Sequence, residues 1–175
     1  MRGDFEAARA KFEACIERDR KHVDGLPVYA GTLLSTHAAL AETLMQLGRD
    51  EEAKTSASAA LADSEARGIA NGAFDLIRVL ALAEGKLGEA RGAQRLDALI
   101  ARQNALGSTG LRTGLSYEAR ARIAIWSGDG ASFERFSELT DRRLSGARRR
   151  RQQRDGPRRA AHDGDAQPGR TSQRR

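Results

Sequence analysis

Few side chains in this sequence could build a reactive centre: three histidines (His22, His37, His162), one cysteine (Cys15) and scattered acids. A histidine offers a proton carrier near neutral pH or a metal ligand. A cysteine offers a nucleophile where positive neighbours lower its pKa. Neither finds companions here. His37 follows Leu33 by four residues and precedes Leu40 by three, on an apolar helical stripe. No nearby spacing supplies the further groups of a triad or a metal site. It reads as a packed histidine at a helix seam, with one ring nitrogen bonded to backbone or water. The charged residues nearest Cys15 along the chain are Glu13 and Glu17. That is the wrong sign for a thiolate, so the cysteine reads as a compact buried hydrophobe. Asp50, Glu51 and Glu52 open a helix, where negative charge complements the dipole. Gly85, Lys86 and Gly88 stand in the wrong order for a phosphate loop, and no strand precedes them. The expectation is a protein that is not an enzyme, with no catalytic, cofactor-binding or metal-binding residues and no cofactor.

Charge points elsewhere. From Arg142 onward 12 arginines face three acids, whereas the preceding 141 residues hold 18 basic and 21 acidic side chains. The net charge of +6 therefore belongs to a tail on a mildly acidic body. Beyond Leu144 there is no Leu, Ile, Val, Met, Phe, Trp or Tyr, and no lysine. Such a segment cannot bury enough apolar surface to offset chain entropy, so 146–175 is expected to be disordered. Within it Arg148, Arg149, Arg150, Arg151, Arg154, Arg158 and Arg159 could neutralise phosphates. The tail has no aromatics for base stacking, so any nucleic-acid or polyanion association through it would be nonspecific. One cysteine excludes an intramolecular disulfide framework and makes the cytoplasm the expected compartment. Neither a signal peptide nor a membrane span is expected, since no apolar run approaches about 18 residues.

The elements that must position these side chains are helical. Gly3, Gly48, Gly88 and Gly128 are separated by 45, 40 and 40 residues, and each opens a similar amphipathic run. After the glycine, apolar or small residues tend to recur at offsets 2, 5, 9 and 12, as in Phe5, Ala8, Phe12 and Cys15, or Ala53, Ala57 and Ala60. Self-similarity at such a period marks stacked helical hairpins. The stripes predict a first helix over 4–21, with Asp4 as its N-cap, then three hairpins over 28–67, 72–106 and 115–145. A turn-rich loop, GSTGLRTG, precedes the last hairpin. The helical region spans 1–145. Its first helix is an orphan, the second half of a hairpin with Gly3 at the turn, and would expose Phe5, Phe12 and Ile16 for self-association or domain swapping. The lysine-free tail reads as a shifted frame of a high-GC gene, and the whole as an incomplete piece.

These residues resemble the tetratricopeptide repeat family, whose helical pairs keep a glycine at the inter-helix turn and then aromatic and small residues in alternation along the second helix. Gly3, Phe5, Ala8, Phe12 and Cys15 follow that half-motif, and Gly48, Ala53, Ala57 and Ala60 follow it with alanine for the aromatic. Leu40 with Ala41, and Leu80 with Ala81, fall where the family favours a leucine and then a small residue. The resemblance implies an all-α, TPR-like α-solenoid of stacked antiparallel hairpins. Its period is longer than the standard repeat of about 34 residues, which implies longer helices. The stretch 110–140 is similar to the last hairpin of repeat regions that follow the catalytic domain in bacterial serine/threonine protein kinases and related signalling proteins. No kinase motif accompanies it.

In such an array the first helix of each pair lines the inner surface. Glu42, Gln46, Arg78, Lys86, Glu118 and Arg122 are therefore the candidate residues of a partner-binding groove for an extended peptide or a helix. The clamp that some family members use for a C-terminal carboxylate is absent, since Ala38 and Glu42 stand in that stretch. The expected function is non-catalytic protein–protein interaction, as the regulatory or scaffolding fragment of a bacterial signalling protein. The alternative is a nucleic-acid or polyanion-associated protein acting through its arginine-rich tail.

Overall fold

A computed structural model describes residues 2–20, 27–69 and 73–143. All regular structure among them is helical: α1 Arg2–Arg20, α2 Pro27–Gln46, α3 Asp50–Ala66, α4 Ala73–Lys86, α5 Ala90–Ala105, α6 Leu111–Ser127, and α7 over 130–143. None of these is long and apolar enough to cross a membrane. Within the α2–α3 and α4–α5 hairpins the chain turns on glycine. Gly48 and Gly88 hold φ of 76° and 80°, a left-handed conformation that other residues adopt only with strain. That geometry lets the next helix begin within two residues, and it is why glycine recurs at both turns.

Helices adjacent in the chain pack together, and so do α2 with α4 and α4 with α6. The described parts of α1 and α3, or of α3 and α5, do not. The core runs along the α2–α4–α6 row and takes in one face of each flanking helix. Leu76, Val79, Leu80 and Leu96 are essentially sealed from solvent, each worth about 1.5–3 kcal/mol by burial. Small residues set how closely the helices approach. A Cβ on Gly92 would lie 2.4 Å from the carbonyl oxygen of Ala81 and 2.6 Å from the amide nitrogen of Gly85, and one on Gly85 would meet Ile123 Cγ1 at 2.6 Å. α7 joins the core through Phe136, whose ring centroid is 6.2 Å from that of Tyr117.

Several expectations need correction. Gly3 lies inside α1, and Asp4 is in its first turn, not at an N-cap. α1 is not unpaired, because it packs along α2 and its Ile16 is 7% exposed. Only Phe5, at 37%, remains substantially open, with Phe12 partly buried. Pro27 begins α2, a position where its missing N–H costs nothing. α6 starts at Leu111, four residues before the expected 115, because Gly110 at φ 88° makes the turn and Thr113 and Gly114 are buried helical residues. In α5 the buried stripe is Gly92, Leu96, Leu99, Ile100 and Gln103, one step earlier after the turn glycine than in α3, where it is Ala53, Ala57, Ala60, Leu61 and Ser64. The Gly92 contact requires that rotation. The tail 146–175 lies outside the described residues.

Candidate functional site

The periodicity places residues 40 apart on equivalent faces of successive helices, and a groove follows from it. A cavity of about 480 Å³ is bounded by α1, α2, α4 and α6. Five of the six candidate groove residues line it: Glu42 and Gln46 from α2, Arg78 from α4, and Glu118 and Arg122 from α6. Apolar surface comes from residues the sequence reading did not assign to it, namely Phe5 and Phe12 of α1, Met45, Leu82 and Leu115.

Arg78 is the groove's central charge. Its side chain is 13% exposed, and its Nη2 donates to Glu42 Oε1 at 2.7 Å, linking α4 to α2. Its Nε is buried without a hydrogen-bond acceptor among the described residues, the Asp75 carboxylate standing 3.9 Å away. The neighbouring charges are less committed. Glu118 is exposed, and Arg122 lies 5.5 Å from the ring centroid of Trp126, a cation–π geometry that leaves its N–H edge available. Lys86 is not part of the groove. Its Nζ reaches Asp50 Oδ1 at 2.9 Å and the Met45 carbonyl at 3.3 Å, which ties α4 to the α2–α3 turn. The seven tail arginines, Arg148 to Arg151, Arg154, Arg158 and Arg159, lie outside the described residues.

His37 is 8% exposed within α2, and its Nδ1 has no hydrogen-bond partner among the described residues. Burial first, and the charge of Arg20 second, push its imidazole below the ordinary value, with Asp63 opposing. Cys15 is partly exposed where full burial was expected. Among the described residues no group of three or more His, Cys, Asp or Glu could hold a metal ion. The single hydroxyl lining the groove, on Thr43, donates to the Ala39 carbonyl at 2.8 Å.

The groove thus offers apolar walls and charges of both signs, with one central ion pair. No family model, curated protein or solved structure matches this chain. The reading of the site therefore rests on its own geometry. Such a surface can seat apolar side chains against Phe12, Leu82 and Leu115 and meet polar groups at Glu118 and Arg122.

Proposed function

We propose that this chain is a non-catalytic protein–protein interaction module, a TPR-like α-solenoid that serves as a regulatory or scaffolding element in signalling and takes an extended peptide or a helix in the α1–α2–α4–α6 groove. The observation that carries this reading is the groove itself: α2, α4 and α6 pack in a row and present Glu42, Arg78, Glu118 and Arg122 to one cavity alongside Phe5 and Phe12. The alternation of packing supports the solenoid, since α4 packs on both α2 and α6 whereas, among the described residues, α3 packs on neither α1 nor α5. A stack of hairpins with one row inside has that pattern.

Selection of peptides from a displayed random library on the full chain tests the proposal. Selected peptides should bind at least about fivefold more weakly to Glu118→Arg and Phe12→Ala variants, and equally well to a chain lacking 146–175. Peptides indifferent to both groove substitutions, or dependent on the tail, would overturn it.

A further inference from the structure

A second surface, sharing no residue with the groove, has a different chemistry. Because the backbones of α3 and α5 stand apart, bridged at one end where Lys54 Nζ donates to Glu89 Oε1 at 2.8 Å, a cleft of about 410 Å³ opens between them over Ile77 of α4. Leu61 and Leu99 complete its apolar floor. Along one face of α5 stand Arg91, Arg95 and Arg102, with Glu65 of α3 as the one acid in the lining. The three arginines are not equivalent. Arg95 is spent on the buried Glu84, to which it donates two hydrogen bonds of 2.9 and 2.8 Å, and that carboxylate raises its pKa further. Arg102 holds its guanidinium carbon over the Phe74 ring, 5.3 Å from the centroid, a cation–π contact that leaves N–H donors for a ligand. Arg91 is exposed, and neither an ion pair nor a hydrogen bond from its side chain occurs among the described residues.

We propose that this cleft docks an acidic amphipathic helix of a partner protein, with leucine-like side chains on Leu61, Ile77 and Leu99 and carboxylates on Arg91 and Arg102. Eleven residues of helix separate the two free arginines, about 16 Å. A helix lying along α5 would meet them with acids about three turns apart. Charge selects this occupant. The body is net acidic, yet with Arg95 neutralised by Glu84 this lining still holds two arginines, Arg91 and Arg102, against the one acid Glu65, so a basic ligand would be repelled and an acidic one guided in. The same rule excludes the chain's own segment 144–175, which carries ten arginines and three acids.

The probe is a short fluorescein-labelled peptide of Leu, Ala and Glu, with leucines at helical spacing and glutamates on the flanks. It is titrated against the full chain by fluorescence anisotropy. Arg91→Glu with Arg102→Glu should weaken binding by roughly tenfold or more. Ala98→Trp, which fills the cleft at an exposed position without changing charge, should weaken it similarly, and a probe with glutamine for glutamate should bind poorly. A variant with Arg148, Arg149, Arg150, Arg151, Arg154, Arg158 and Arg159 changed to glutamine should bind as the parent does. Three results would overturn the proposal: wild-type affinity in both cleft variants, loss of binding in the tail variant, or a dimer in sedimentation that the cleft variants dissolve, which would make the occupant a second copy.

Discussion

Gln103 is fully buried on α5, and neither its amide oxygen nor its amide nitrogen has a hydrogen-bond partner among the described residues. An unpaired polar group inside protein costs about 1–3 kcal/mol. Methionine has nearly the same length and flexibility without the polar atoms. Gln103→Met is therefore expected to raise stability by about 1–2 kcal/mol, read as a higher urea midpoint at an unchanged slope. No shift, or a loss, would mean that the amide is satisfied by water. His37 gives a pH-dependent counterpart. Its folded-state pKa lies below the unfolded value of 6.5, so below that pH the unfolded chain takes up a proton that the native one refuses. Stability should fall as pH drops through 6.5 and level off once the native imidazole also titrates. The His37→Leu variant should lose this component of the slope in urea titrations at pH 7.5, 6.5 and 5.5, and an identical slope would refute the assignment.

At the scale of elements, Gly92 governs how α5 meets α4. With backbone atoms of Ala81 and Gly85 closer than any Cβ could tolerate, Gly92→Ala must push the helices apart. It should destabilise by about 2–4 kcal/mol, against the gain of about 1 kcal/mol that helix propensity alone would bring. Thermal melts of the two proteins check this. Such contacts explain what could be read from the sequence and what could not. The helices were legible because Leu33, Leu40 and Leu44, or Leu96, Leu99 and Ile100, recur at the spacing of one face. The polar lining of the groove was legible because Arg78 and Glu118 are one period apart. Phe5 and Phe12 were read as exposed on an unpaired helix, and their place in the groove depends on how α1 lies along α2. The start of α6 was hidden by Gly114 and Thr113, turn formers in isolation that tertiary burial keeps helical. The arginines of α5 carried no signal either, since a charged helix face is ordinary until a neighbouring pair of helices is known to stand apart.

For the molecule as a whole, packing runs mostly between neighbours, and α4 holds the central position. It touches α2, α3, α5 and α6, whereas among the described residues α1 packs on α2 alone. Local opening free energy follows the number and quality of such contacts. Hydrogen exchange measured by mass spectrometry should find the amides of α4 slowest and those of α1 fastest, with α2 between them. Equal protection across α1 and α4 would instead describe one all-or-none unit.

Trp126 is the chain's single tryptophan, and the guanidinium stacked on it belongs to Arg122, which lines the groove. A peptide that draws Arg122 into a new hydrogen bond must lift that charge from the indole face, and the indole's excited state senses the change. The protein thus carries its own optical gauge of groove occupancy: intrinsic emission should change in intensity and colour as a groove ligand is added, with no dye attached, while a ligand in the α3–α5 cleft leaves the emission as it was.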